Sequence, residues 1–588
     1  MTGHPEESPE IDPSDGASPS ESAAPAPAPD LAELEEVTRL LEGLAEDGRS
    51  LLDVPHDLKL RLLIACGRLS RPSHKERKRF NRSRRKKKKD ARRDHDEALL
   101  DQTGIRRQRI ELVYPTPDPS MNAIDSSAFV EFGPDGTIEA LPDGASSAAS
   151  PSTTPASTED ASAPASAEDA PADAEAPRPQ LASDRNCYIC KADYREVHHF
   201  YDALCPDCSE LNWTKRNQSA DLSGRVALLT GGRVKIGYQA GIKLLRAGAN
   251  VIVTTRFPRD AAARYSNEKD FDDWKDRLEI YGLDLRHTPS VEALAAHVQR
   301  KYDRLDFLVN NACQTVRRPP GFYKHLMEGE TLPYEALPSD VRKTLEGHEE
   351  LTGLRALEGE APGADRDASS SVVTAGNGEA SDRDAAGIRR SAELSQIPLV
   401  AGDTDVGEQL FPTGKLDADL QQVDLRDINS WRLPLADVPT VELLEVHLVN
   451  AVAPFVLNAR LKPLMLRHPS RDKHVVNVSA MEGQFYRAFK TDKHPHTNMA
   501  KASLNMMTRT SAEDYVKDGI HMNSVDTGWI TDEDPAHITV LKREEHGFHP
   551  PLDHVDAAAR ILAPIFDGFL TGEHVWGQFL KDYKSVRW

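Results

Sequence analysis

The sequence predicts an α/β fold built on a doubly wound parallel sheet flanked by helices, and two observations carry that prediction. Residues 225–237 read RVALLTGGRVKIG: an apolar run short enough for one buried strand, a break at Thr230, Gly231 and Gly232, and a helical apolar spacing that opens at Gly237 (Tyr238, Ile242, Leu244, Leu245). Further strands follow at 250–256 (NVIVTTR) and 475–479 (VVNVS), with a third strand ending at 283–285 (LDL) and a fourth at 307–312 (FLVNNA). A strand, a glycine turn and a helix N-terminus form the usual cradle for a dinucleotide pyrophosphate, the Rossmann arrangement. Glycine lets the backbone approach the phosphates, and the helix end supplies N–H donors and partial positive charge.

The 588 residues exceed one ordinary domain, but 40 prolines and a hydrophobic share of 39% point to substantial unstructured length. Net charge is −21, so attraction to nucleic acid or anionic membrane is expected only at local patches. No window reads as an apolar membrane span, the first ten residues have no secretory character, and six cysteines do not make a disulfide framework. The expected setting is cytoplasmic, with no membrane partner.

Residues 1–30 are Pro, Ser, Ala and acidic residues and read as a disordered acidic tail. Leucine spacing over 31–73 predicts two short amphipathic helices, a small hairpin or partner-binding module. Cys66 at their end reads as a small buried apolar residue. The segment 74–95 is basic, with thirteen Lys/Arg between Lys75 and Arg93 against Glu76 and Asp90. Such density attracts RNA or another polyanion through counterion release, or forms a solvated charged helix; the single aromatic, Phe80, favours the second. Residues 96–133 hint at short strands (110–113, 129–132), and 134–182 is a low-complexity linker.

Residues 183–216 contain Cys187, Cys190, Cys205 and Cys208 in a CxxC–x14–CxxC pattern. Two such knuckles complete a tetrahedral thiolate site, which predicts a structural zinc with no open position for chemistry. Disulfides or a redox pair are the alternatives, disfavoured by the duplication. His198 and His199 lie nearby but are not needed as ligands.

In the Rossmann first half, 217–316, the second strand ends at Arg256, where an acidic residue would accept the ribose 2′-OH of NAD; an arginine suits a 2′-phosphate, and Arg233 and Lys235 push the same way. NADP is expected, with NAD as the alternative.

The segments TGGRVKIG, LDL and NNA at these spacings resemble the short-chain dehydrogenase/reductase family, classical type. The resemblance covers 221–316 and resumes over 441–588. It implies cofactor contacts from Thr230, Gly231, Ile236, Gly237 and Ala312, an adenine contact at Asp284, and an asparagine, Asn310, that steadies the central sheet. Lys235 stands where the family's loop usually has its second glycine. In the second half, 440–588, the resemblance assigns catalytic positions to Asn450 (holding a relay water), Ser479 (on the substrate carbonyl) and Lys501, which also binds the cofactor ribose. Gly528, Ile530 and Thr531 fall in the nicotinamide loop, with Ile530 and Thr531 facing the carboxamide. Helices are expected at 441–466, from 497 and at 557–566, with a final strand at 575–579. The family commonly pairs the Asn- and Lys-bearing helices with a second copy, so a homo-oligomer is expected.

The family's Y-x-x-x-K tyrosine is replaced by Thr497. A phenol near pKa ~10 can be tuned toward neutrality, whereas an aliphatic hydroxyl has no comparable titration. Tyr486, His494 and His496 are nearby substitutes. The sequence therefore leaves two readings: an NADP-dependent oxidoreductase with an altered proton donor acting on a carbonyl, alcohol or unsaturated substrate, or an NADP-binding sensor or scaffold without turnover. Between the two halves lies an insertion, 317–439, with a disordered middle and aromatic flanks expected to form a lid or a partner surface.

Overall fold

In the computed structural model the described residues are 30–110, 113, 114, 116, 117, 178–358, 386–404, 407–486, 490–546 and 549–588. The expected tail up to residue 29, the linker up to residue 177, the strand at 129–132 and, of the insertion's middle expected as disordered over 358–407, residues 359–385, 405 and 406 lie outside them. The rest of that middle is ordered, against expectation, with a short helix Ala386–Arg389 and helical turns Glu393–Gln396 and Ala401–Thr404, where buried Ile388 and Ala392 pack inward. The chain divides into two units, 1–91 and 92–588.

In the first unit, helices Leu31–Glu46 and His56–Ser70 form where leucine spacing predicts them. Asp30 and Glu33 make a capping box at the first, each side chain accepting a backbone N–H of the other's turn. None of their residues is buried. The basic run begins a third helix, His74–Leu100. No strand forms among the described residues at 108–117, because Tyr114 N–H bonds the Ala418 carbonyl and Thr116 bonds Glu268 instead.

In the second unit, strands β1 (Gln180–Asn186) and β2 (Asp193–Glu196) make an antiparallel hairpin. The main sheet contains β3 (Val226–Thr230), β4 (Asn250–Thr255), β5 (Leu278–Gly282), β6 (Phe307–Asn310), β7 (Lys473–Ser479), β8 (Ile520–Asp526), β9 (Phe579–Lys581) and β10 (Lys584–Val586). Their order is β10-β9-β8-β7-β6-β3-β4-β5, parallel from β5 to β9, with β10 antiparallel to β9. The order reverses between β3 and β6, and at such a switch point the strand C-termini part to leave a crevice.

Sheet residues alternate between two cores. Leu229, Val251 and Val309 face one with helices Lys235–Arg246 and His554–Thr571. Leu228, Ile252 and Leu308 face the other with helices Thr288–Lys301 and Ala453–Arg467. The insertion adds helix Ser339–Glu358, whose Val341 and Leu345 join the first core beside β5.

Several expected boundaries shift. The helix after the glycine turn begins at Lys235, and the one carrying Lys501 spans Pro495–Lys517, each with a residue of left-handed φ at its start. The helix expected at 557–566 runs over His554–Thr571, started by an Asp553–Asp556 capping box. The final strand expected at 575–579 is instead β9, Phe579–Lys581, followed by a further strand, β10, that returns beside it. The run expected as one helix over 441–466 is Thr440–His447, a π-helical turn Leu448–Val452, and Ala453–Arg467. This run also corrects the expectation that nothing could span a membrane: by length and composition alone, Thr440–Arg467 qualifies, with half of its most apolar window buried in the unit. Its apolar residues alternate with polar ones, so a continuous-run criterion misses it; Leu457, Leu461 and Leu464 pack inward.

Candidate cofactor and catalytic site

The glycine turn closes against the loop after β6. Gly231 has φ +70°, and a Cβ there would meet Ala312 Cα at 2.8 Å; one on Gly237 would meet the Gly231 carbonyl oxygen at 2.1 Å. Glycine is required at both positions by close approach. Thr230 Oγ1 accepts the N–H groups of Asn311 and Ala312, each at 3.0 Å, tying turn to loop. Asn310 Nδ2 donates to Asn458 Oδ1 and Asn477 Oδ1, both at 2.8 Å, pinning β6 to β7 and a flanking helix.

A cavity of about 360 Å³ opens here, lined by the turn and by residues 254–257, 283–286 and 311–318, with Tyr323, Glu445, Val449, Thr531, Glu533 and His554. It holds six cationic side chains. Arg233 pairs with Asp260 at 2.6 Å, Arg286 with Asp284 at 2.6 Å and Glu445 at 2.7 Å, Arg317 with Asp403 and Glu445, and Arg318 with Asp424. Lys235 and Arg256 make no ion pair within 4 Å among the described residues, though Lys235 acts on Glu533 and Asp417, and Arg256 on Asp284, from further off. Lys235 sits at the helix N-terminus with φ +55°, the backbone that glycine takes freely. Arg256 donates to the Tyr323 hydroxyl at 2.6 Å and stacks on its ring. Burial would raise the Tyr323 phenol, but Arg256, Arg318 and Arg233 leave it below the ordinary range. A larger depression, about 700 Å³, lies along Arg560, Pro564 and Trp576, but it is ringed by Asp526, Asp567, Glu573 and Asp582, the wrong sign for a dinucleotide.

The cradle, with Lys235 at the helix end, fits a dinucleotide pyrophosphate. Of the sequence's cofactor candidates, Gly231, Arg233, Ile236, Gly237, Arg256, Asp284, Ala312 and Thr531 line this cavity together. Ile530 instead buries its side chain in an apolar cluster with Leu552 and the cysteine module. Glu533, which the sequence reading missed, accepts from Thr531 Oγ1 at 2.8 Å and Thr315 Oγ1 at 3.5 Å; burial would raise it, but Lys235 and Arg318 hold it below the usual range. Arg317, Arg318 and Tyr323 belong to the insertion, where no motif marks them. Arg286 and Glu445 were missed as well; the only signal for them is that they are charges close in sequence to Asp284 and Asn450.

The catalytic candidates sit deeper. Asn450, in the π-helical turn, accepts from Gln314 N–H at 2.8 Å and donates to its carbonyl at 3.0 Å. Ser479 at the end of β7 and Thr497 in the first turn of helix Pro495–Lys517 are buried, and their hydroxyls have no hydrogen-bond partner among the described residues. Lys501 Nζ donates to the Val478 carbonyl at 2.8 Å. None of Ser479, Thr497 or Lys501 lines the cavity. A short insertion turn, Ser430–Arg432, bridges the walls beside them. Asn429 Nδ2 donates to the Glu533 carbonyl at 2.8 Å, Arg432 pairs with Asp534 at 3.2 Å, and Trp431 stacks on His494 at 3.8 Å. Of the substitute donors, His494 is held by Trp431, His496 lies 3.4 Å from Glu442, and Tyr486 is 88% exposed.

The cysteines form a second, separate centre. Cys187 and Cys190 lie in the β1–β2 hairpin loop, and Cys205 and Cys208 at the start of helix Pro206–Asn217, where proline at the first position suits the unpaired N–H. All four sulfurs lie within 4.8 Å of one another, with Cys190 and Cys205 3.5 Å apart. A tetrahedron with Zn–S near 2.3 Å has edges of about 3.8 Å, and a disulfide needs about 2.05 Å, so the set fits a metal ion. Neither His198 nor His199 joins it.

Comparison with known proteins follows the same division. Residues 225–326 match the family model for short chain dehydrogenase, and 425–550 the model for Enoyl-(Acyl carrier protein) reductase. The unmatched stretch between them falls inside the insertion. An uncharacterized protein, R665, of Acanthamoeba polyphaga mimivirus is 31% identical over 396 residues, covering 65% of this chain and 72% of its own. The (+)-neomenthol dehydrogenase of Capsicum annuum is 33% identical over 93 residues, covering 15% of this chain and 29% of its own. The (-)-isopiperitenone reductase of Mentha piperita is 37% identical over 89 residues, covering 15% and 28%. A solved Pseudomonas aeruginosa RhlG/NADP active-site complex superposes with a TM-score of 0.36 at 18% identity, covering 61% of this chain and 95% of that one. With the two family models in chain order on a sheet reversed at its glycine turn, the chain belongs to the short-chain dehydrogenase/reductase family of oxidoreductases.

Proposed function

We propose that the chain is an NADP-dependent oxidoreductase, moving hydride to or from a carbonyl, alcohol or unsaturated substrate with a proton donor other than the family's phenol. The observation that carries this reading is the pair Lys235 and Arg256, which make no ion pair within 4 Å among the described residues, whereas the cavity's other four cations all do. Lys235, at the helix end, suits the pyrophosphate, and Arg256, at the end of β4, suits a ribose 2′-phosphate. Arg233 supports the site indirectly, since Asp260 and Gln421 already hold its guanidinium.

When bound, NADP supplies or accepts the hydride. The Ser479 and Thr497 hydroxyls, buried without partners, are available to a substrate oxygen or a water. Thr497 can pass a proton between them but cannot store one, so the proton comes ultimately from solvent. The named plant relatives, a dehydrogenase and a reductase, support hydride transfer in either direction.

A sensor without turnover is the second reading. It is favoured by Lys501, committed to a carbonyl, and by the absence of Ser479 and Thr497 from the cavity lining. NADPH titration followed by stereospecific deuteride exchange across a carbonyl panel separates the two: tight binding without exchange, unchanged by Lys501→Ala, rejects the oxidoreductase. We also propose that a structural zinc occupies the four cysteines, and that a second copy of the chain covers Leu444, Val452, Phe455, Met499 and Met506, all exposed on the helices bearing Asn450 and Lys501.

A further inference from the structure

We propose that Tyr188, between the first two metal-site cysteines, is a positioning residue for the nicotinamide-side loop, so that metal occupancy of the cysteine centre sets dinucleotide affinity. The proposal rests on reading the cavity as the dinucleotide site. The loop leaves β8 through Gly528, whose φ is +81° and whose N–H donates to Asp526 Oδ1 at 3.0 Å. Its next residues then divide between two neighbours. Trp529 N–H donates to the Tyr188 hydroxyl at 3.1 Å, and Ile530 is buried in the apolar cluster that also holds Cys187, Cys205, Tyr201 and Leu552. Thr531 and Glu533 face the cavity. One side of the loop is therefore shaped by the module and the other lines the cofactor site.

A second attachment comes from the same module. Arg216, on the helix that carries Cys208, pairs with Asp553 Oδ1 at 2.6 Å and Asp556 Oδ1 at 3.1 Å. Tyr201 Oη donates to Asp556 Oδ1 at 2.6 Å. These carboxylates cap the helix whose first residue, His554, lines the cavity. Tyr188 itself rides on the hairpin tip, and its backbone N–H is bonded across to the Ala203 carbonyl. The metal joins that tip to helix Pro206–Asn217. Without it, the hydroxyl that receives Trp529 is carried on a loop that has lost its tie to that helix and keeps the bond to Ala203 across from it.

The test uses the full chain with zinc as the probe. In Tyr188→Phe, zinc content and melting temperature should match wild type. Amide exchange at 527–534 should quicken several-fold, and the Kd for NADPH should rise about three- to tenfold. Chelating the metal from wild type should give at least the same exchange change, reversed by added zinc. Unchanged exchange at 527–534 in Tyr188→Phe with zinc retained overturns the proposal. Quickened exchange with unchanged NADPH affinity overturns the link to affinity. Quickened exchange in a protein that binds no NADPH refutes the cofactor reading and leaves the loop contact standing.

Discussion

Replacing Lys235 with glycine and, separately, with alanine divides two effects that the native residue combines. Its φ of +55° is a backbone state in which a side chain costs roughly 1–2 kcal/mol relative to glycine. Glycine gives back about 0.4–1 kcal/mol through the greater freedom of the unfolded chain. Lys235→Gly should therefore be more stable than Lys235→Ala by about 0.5–1 kcal/mol, a melting difference of roughly 1 °C in a unit of this size. Both variants lose the same ammonium group from the helix N-terminus. A charge-assisted contact with phosphate contributes at least about 1.5 kcal/mol, so each should bind NADPH about tenfold more weakly. Differential scanning calorimetry and fluorescence titration at fixed salt read the two quantities independently. Equal melting of the two variants would refute the strain argument. Unchanged NADPH affinity in both would refute the placement of phosphate at this turn.

Arg256→Ala should weaken NADPH binding roughly 10- to 100-fold and NADH binding by less than about threefold, because the proposed contact is to the 2′-phosphate; isothermal titration with both nucleotides checks this. His348, on the insertion helix beside β5, accepts a hydrogen bond from Gly282 N–H, and burial, then Arg259, lowers it to about 4. Its neutral form is thus the native one. Stability should be fully present above pH 6.5 and fall by roughly 3 kcal/mol between pH 6.5 and 4 as the unfolded imidazole takes up a proton; His348→Gln should flatten that part of a denaturation-versus-pH series. If the proposed second copy covers this face, light scattering should give a dimer for wild type and a monomer for Phe455→Glu, with NADPH affinity within about twofold of wild type.

The sheet was legible because buried parallel strands are nearly continuous apolar runs and because the glycine turn has few alternative explanations. The cofactor candidates were legible for the same reason: Gly231, Gly237 and Ala312 meet through backbone approach, which glycine and alanine advertise in a sequence. Charge assignment was less so. Arg233 and Arg256 look equivalent along the chain, yet Asp260 neutralises one and leaves the other open, and that depends on a helix turn packed 27 residues away. The insertion was the least legible. Its flanks at 317–326 and 424–435 were expected beside the site from their aromatics and their place after β6, but no motif marks which side chains, such as Tyr323 and Arg317, reach the cavity. Ile530 shows the converse, a motif position whose side chain turns to a neighbouring module that the motif does not include.

Helix Ser339–Glu358 carries a consequence beyond the cofactor site. It lies along β5, the outermost strand on that side, with Gly347 so close that a Cβ there would meet Tyr281 Oη at 2.3 Å. A bare outer strand offers a ladder of unpaired N–H and C=O groups to any other chain. Cutting the insertion back to the family's usual short crossing would uncover that ladder together with the apolar seats of Val341 and Leu345. A minimal version of this enzyme fold should therefore be prone to aggregation, and an engineered one that keeps 339–358 while shortening 359–385 should stay dispersed.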